Sequence, residues 1–99
     1  MYFAIVAIDR PGVTEVRART RPAHREYLRT PPDGVTYRLG GPLMTPDGAT
    51  AIGSLLVIEA PDLATAERFS AGDPYSKADI FAQVSVRAWD WGTGNPDRG

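Results

Sequence analysis

The sequence predicts an α+β chain of the ferredoxin-like kind, a split βαβ arrangement with a four-stranded antiparallel sheet and its helices on one face. Two observations carry this. The order strand, helix, strand runs twice along the chain, and the first and third strands are apolar on both of their faces. Tyr2, Ala4, Val6 and Ile8 alternate with Phe3, Ile5 and Ala7, while Ile52, Leu56 and Ile58 stand opposite Leu55 and Val57. Two helices cover only one face of such a sheet. The other face is therefore expected to pack on a second copy, giving a homodimer through the sheet, a dimeric α+β barrel.

The first strand, residues 2–9, is rich in β-branched and aromatic residues and stops at the turn signal Arg10-Pro11-Gly12. Over residues 13–29 the positions Val13, Val16, Thr20, Ala23, Tyr27 and Leu28 recur at helical spacing. Pro22 lacks an N–H and crowds the turn before it, so a kink near Thr20 and Arg21, or a fresh start at Pro22, is expected. Thr30-Pro31-Pro32-Asp33-Gly34 closes that helix, residues 35–39 read as a second strand, and Gly40-Gly41-Pro42 should end it. A polar loop with Pro46-Asp47-Gly48 leads to a third strand at 52–59, paired with the second as a hairpin. Asp62 caps a helix whose apolar face is Leu63, Ala66 and Phe69, with Gly72 as its C-terminal cap. Asp73-Pro74 repeats the start signal for a short turn to about Asp79, and the last strand runs from Ile80 to about Trp91. Residues 1–92 thus form one domain, and 93–99 read as a flexible tail with nothing apolar to bury.

Composition narrows the function. With 99 residues, 42% hydrophobic and 23% charged, the chain suits one small core, for which burial by self-association matters. A net charge of −1 supplies no field for nucleic acid or an anionic membrane, so neither partner is expected. No cysteine means no disulfide, no thiolate nucleophile and no thiolate metal site. No apolar run approaches the roughly 20 residues that span a bilayer, and a secretory leader is not apparent, so a cytoplasmic location is expected.

The chemical signal is a pair. His24, the sole histidine, sits in Arg21-Pro22-Ala23-His24 on a helix that would face the sheet, and Asp73 sits in Ala71-Gly72-Asp73-Pro74-Tyr75. A carboxylate that orients an imidazole makes a general base usable near neutral pH. The structural alternatives are a partly buried histidine bonded to backbone and an aspartate that only caps a turn. The two roles of Asp73 are compatible, since one carboxylate oxygen can cap while the other accepts from the ring. Arg17, Arg21, Arg25 and Arg29 fall at i, i+4 spacing. They read as a solvated face, or as an anion site with Arg21 nearest His24. Ser54, after Gly53 in the third strand, reads as a substrate contact or as a serine simply tolerated on a strand, and no signature marks it as an activated nucleophile. Tyr37, Tyr75, Trp89 and Trp91 line either a ring-binding pocket or the core and interface. One histidine without cysteine, and Asp73 with Asp79 outside any calcium loop, leave no expected metal; Gly40-Gly41 lacks a phosphate motif, and no cofactor is expected.

The N-terminal strand, Arg21-Pro22-Ala23-His24 followed by Tyr27-Leu28, then Gly41-Pro42, Gly53-Ser54, and Asp73-Pro74-Tyr75 ahead of Val84-Ser85-Val86, together resemble the YciI-like (YCII-related) proteins. These are small members of the dimeric α+β barrel superfamily, and the resemblance covers nearly the whole chain. It implies a subunit that dimerises through its sheet, with a pocket holding a histidine and an aspartate, here His24 and Asp73. One branch of the family is a dehydrochlorinase acting on a chlorinated hydroxyquinol, and the neighbouring muconolactone isomerases use the same barrel for proton transfer. The chain departs from the commoner pattern at Tyr75, where phenylalanine is frequent, and in its long loop at 44–51.

Residues and resemblance together predict a cofactor-independent lyase or isomerase on a small ring or carbonyl substrate. His24 and Asp73 are its catalytic pair, and Arg21, Gly41, Pro42, Ser54 and Tyr75 are its substrate contacts. The alternative is a non-catalytic homodimer that binds a small metabolite or assists another enzyme. A cofactor-free oxygenase is a third possibility.

Overall fold

The computed structural model describes residues 1–98 and builds its sheet around β1 (Tyr2–Asp9), which pairs antiparallel with β3 (Ala51–Glu59) on one side and β4 (Phe81–Trp89) on the other. β2 (Thr36–Met44) adds to the far side of β3, so the strand order is β2-β3-β1-β4. α1 (Thr14–Arg29) connects β1 to β2; α2 (Leu63–Gly72) and the short α3 (Pro74–Lys77) connect β3 to β4. This is the ferredoxin-like α+β arrangement that the alternation of elements implied.

Register decides the faces. Phe3 lies opposite Ile58, Ile5 opposite Leu56 and Ala7 opposite Ser54, and all six side chains are buried. Leu28 of α1 and Ala66 and Phe69 of α2 join Phe3, Ile5, Leu56 and Ile58 in the core. Removing each large side chain from water contributes about 1.5 to 3 kcal/mol. The opposite face carries Ile8, Leu39 and Leu55, each still about two-fifths exposed although apolar. The helix-covered face and the second apolar face are thus both present as the alternation predicted.

Four local expectations need correction. α1 runs unbroken through Pro22, with no fresh start there. Its buried stripe is Arg17, His24 and Leu28, while Ala23 is exposed. Gly40-Gly41-Pro42 does not end β2, which continues to Met44 and pairs Pro42 with Ser54. β2 is an edge strand, where a residue without an N–H is tolerated. The loop after it is correspondingly shorter and is closed by Thr45 N–H donating to the Thr50 carbonyl at 2.9 Å.

Gly72 is the fourth. It is the last residue of α2 and does not adopt the left-handed conformation of a glycine cap. What requires glycine is Tyr27: a Cβ at residue 72 would lie 2.6 Å from the Tyr27 hydroxyl, which donates to the Phe69 carbonyl at 2.9 Å.

Asp62 and Asp73 cap as expected, accepting from Thr65 N–H at 2.8 Å and from Tyr75 N–H at 2.9 Å. β4 ends at Trp89, two residues before its predicted limit. The segment expected to form a free tail makes contacts: Asn95 is buried, its Nδ2 donates to the Tyr2 hydroxyl at 3.0 Å, and Asp97 pairs with Arg38 at 2.9 Å. Gly99 lies outside the described residues.

Candidate active site

A cavity of about 290 Å³ opens between α1 and the β2 and β3 strands, with Tyr75 of α3 also on its wall. It exists because β2 presents little side chain toward α1. A Cβ at Gly40 would meet the Leu55 carbonyl at 2.6 Å and the Tyr37 hydroxyl at 2.9 Å, so glycine keeps this strand close. Helical periodicity then aims Arg17, Arg21, His24, Arg25 and Leu28 from one side of α1 into the opening.

His24 Nδ1 lies 2.8 Å from Asp73 Oδ1, with both side chains at least nine-tenths buried. An ionised carboxylate only accepts, so Nδ1 donates and the other ring nitrogen, Nε2, carries no protein hydrogen bond among the described residues. Asp73 Oδ1 also takes the Tyr75 N–H, so cap and imidazole share one oxygen instead of dividing the two as the sequence suggested. The His24 ring stacks on Tyr75 with centroids 4.0 Å apart and planes 15° apart. Three contacts therefore fix the imidazole: a hydrogen bond at one edge, an aromatic face beneath it, and the α1 backbone.

Every candidate site residue meets here. Arg21, His24, Gly41, Pro42, Ser54 and Tyr75 line the cavity, and Asp73 stands directly behind His24. Of the aromatic residues named beside Tyr75, Tyr37 joins the wall, and burial pushes its hydroxyl above the ordinary 10.0. Trp89 and Trp91 stand elsewhere, stacked on each other 5.9 Å apart, with Trp91 edge-on to Tyr2.

Arg17 is the residue sequence reasoning missed. The arginine spacing reads as a solvated face or as an anion site centred on Arg21, yet Arg17 itself is 4% exposed and lines the cavity. Its Nη2 donates to Ser54 Oγ at 2.6 Å and to the Gly53 carbonyl, and its Cζ sits 4.5 Å from the Tyr75 ring centroid. Its Nε lies 3.1 Å from Asp9 Oδ2, off the line of a hydrogen bond, and Asp9 Oδ1 accepts none among the described residues. Burial pushes the Asp9 carboxyl above its ordinary 3.8, and the neighbouring Arg17 cation opposes this with the smaller effect. The available signal was spacing: Arg17 precedes His24 by seven residues, two helical turns, and so shares its stripe.

Among the described residues, no three His, Cys, Asp or Glu side chains group as metal ligands, and no helix is long and apolar enough to cross a membrane.

Comparison with known proteins agrees with this architecture. The YCII-related domain model matches residues 1–90. Protein YciI of Escherichia coli O6:H1 and that of Shigella flexneri are each 30% identical over 92 residues, 88% of this chain and 94% of theirs. The 5-chloro-2-hydroxyhydroquinone dehydrochlorinase TftG of Burkholderia phenoliruptrix AC1100, solved in complex with 2,5-dihydroxybenzoquinone, is 33% identical. It superposes with a TM-score of 0.80, over 96% of this chain and 99% of its own. An antibiotic biosynthesis monooxygenase at 14% identity and a TM-score of 0.54, over 91% and 97% of the two chains, shares the fold alone.

Proposed function

Since the chain belongs to the YCII-related family, we propose that it is a cofactor-independent lyase of the dehydrochlorinase type, acting on a small hydroxylated ring, with His24 moving the proton and Asp73 holding His24. The single observation that carries this reading is the 2.8 Å contact between His24 Nδ1 and Asp73 Oδ1 at the wall of a ligand-sized cavity. With Nδ1 engaged, Nε2 is the nitrogen left to take a proton from a ring hydroxyl. Returning that proton to the carbon bearing chlorine gives a ketone. Deprotonating the hydroxyl para to that ketone then expels chloride, so net HCl leaves a quinone and no external oxidant is needed. Each step is a proton transfer between oxygen or carbon and one base.

Similarity at 33% identity over nearly the whole of both chains supports the reaction class. Arg21, Gly41, Pro42, Ser54 and Tyr75 would contact the substrate, and a homodimer through the Ile8, Leu39 and Leu55 face would cover apolar surface that a monomer leaves in water. The test is chloride release from 5-chloro-2-hydroxyhydroquinone by the purified protein. Release that falls about 100-fold or more in His24→Gln supports the reading, within the usual range for general acid–base catalysis. No release, or release untouched by that substitution, ends it and favours the non-catalytic binding dimer.

A further inference from the structure

We propose that the segment after β4, residues 91–98, is a strap that occupies the Tyr2 end of the open sheet face, leaves only the Ile8, Leu39 and Leu55 end to a second copy of this chain, and so weakens self-association. This goes beyond the homodimer itself by naming what limits the contact. The strap lies past residues 1–90, the part that the family model matches.

Strand register sets the row beneath it. Tyr2 of β1 pairs with Trp89 of β4 on one side and with Glu59 of β3 on the other, and Arg38 of β2 forms an ion pair with Glu59. Past β4 the chain carries Gly92, Gly94 and Pro96, with Gly94 left-handed at φ 76°. Trp91 packs edge-on to Tyr2 with centroids 5.4 Å apart, Arg38 Cζ lies 5.1 Å from the Trp91 centroid, and Asp97 reaches Arg38 at 2.9 Å. Since the strand order is β2-β3-β1-β4, the segment crosses the sheet from one edge strand to the other.

Asn95 fastens it. Its Nδ2 donates to the Tyr2 hydroxyl at 3.0 Å and to the Trp91 carbonyl at 3.1 Å, while its Oδ1 accepts from the Asp97 amide at 2.9 Å. Arg98 pairs with Asp90 at 2.7 Å and closes the segment on its own beginning. Trp91 and Asn95 are buried, whereas the side chains of Asp90, Asp97 and Arg98 are each more than half exposed.

The open face therefore has two unlike ends. Val57 and Leu55 point to the same side of β3, yet Val57 is 3% exposed and Leu55 37%. At the strapped end the outer groups are the charged Glu59, Asp90, Asp97 and Arg98, and desolvating them against a second copy costs more than exposed ion pairs return. At the other end Ile8, Leu39 and Leu55 offer apolar surface, so a second copy docks there. Lifting the strap would uncover Tyr2 and Trp91 and lengthen that apolar surface. Exposed ion pairs are weak fastenings, which makes the strap the part of this face that opens most easily.

The test starts from Trp89→Phe, which keeps a ring at that position and leaves Trp91 as the single tryptophan of the full chain. In that parent, Asn95→Ala combined with Asp97→Ala removes the fastenings. Acrylamide quenching of Trp91 should rise at least twofold, and sedimentation should show reversible self-association strengthened at least fivefold, as a lower dimer dissociation constant or as larger assemblies. Asp97→Ala alone, which unlatches only Arg38, should give a smaller change in the same direction. A strap that lifts without strengthening association overturns the proposal, as does quenching that does not rise. A monomeric parent that associates once the strap lifts supports the proposal and removes the resting homodimer; a dimeric parent indifferent to the strap does the reverse. Chloride release should not change, because the cavity opens on the helix-covered side of the sheet.

Discussion

His24 and Tyr75 share a single acceptor: the imidazole Nδ1 and the Tyr75 amide both donate to Asp73 Oδ1, at 2.8 and 2.9 Å. The start of α3 and the orientation of the candidate base are thus one hydrogen-bonded unit, so a substitution at Asp73 separates two roles by what it keeps. Asp73→Asn retains an acceptor oxygen and should leave thermal stability nearly unchanged while lowering turnover tenfold or more through loss of the charge that steadies an imidazolium. Asp73→Ala removes both roles and should add a stability loss of about 1 to 2 kcal/mol, typical of a lost cap. Denaturant midpoints and chloride-release rates on the two variants check this.

Gly72 tests whether Tyr27 sets the packing of α1 on α2. Within a helix, Gly→Ala ordinarily stabilises by about 0.5 to 1 kcal/mol. Here the new Cβ would meet the Tyr27 hydroxyl at 2.6 Å, and that hydroxyl is held by the Phe69 carbonyl while its ring stacks on Phe69 at 5.0 Å. Gly72→Ala is expected to destabilise by about 1 to 3 kcal/mol, the cost of overpacking. In a Tyr27→Phe background the penalty should shrink or reverse, as a double-mutant cycle in urea will show.

Two carboxylates should give stability opposite dependences on pH. Burial raises Asp9 above 3.8, so the folded chain holds this proton more tightly than the unfolded one. Its favourable contribution is greatest below 3.8 and is lost as pH rises from there through the folded value. Hydrogen bonds from the Thr65 side chain and amide lower Asp62 below 3.8, so its contribution is present above 3.8 and is lost as pH falls through the folded value. Relative to wild type, Asp9→Asn should therefore fare better at neutral pH than at pH 3, and Asp62→Asn the reverse. Melting curves across that range check both signs.

The exposed apolar face predicts self-association. Leu55→Glu places a charge among Ile8, Leu39 and Leu55 without touching the helix-covered core. Sedimentation should find the wild type dimeric and this variant monomeric at the same concentration; a monomeric wild type would remove the homodimer from the proposed function.

The sequence was most legible where one physical rule acted alone. Strict alternation identified both faces of β1 and β3, and Asp62 and Asp73 were readable as caps because their local hydrogen bonds need no tertiary partner. It was least legible where tertiary context overrode composition. Arg17 looked solvated because arginine usually is, and its burial follows from distant partners, Asp9, Ser54, the Gly53 carbonyl and the Tyr75 ring. Gly40-Gly41-Pro42 looked like an ending, but edge position tolerates Pro42, and the close approach of Leu55 uses Gly40. Gly72 looked like a cap because the reason for its size, Tyr27, is distant in the chain.

The central claim is that Asp73 holds His24 with Nε2 free to carry a proton, and since His24 is the chain's only histidine, its ring can be read without ambiguity. Long-range 15N–1H NMR of the imidazole in its neutral form is the direct measurement. The expected result is a proton on Nδ1 and a bare Nε2, with that tautomer losing its dominance in Asp73→Asn. A ring protonated on Nε2, or a tautomer balance indifferent to Asp73→Asn, would contradict it.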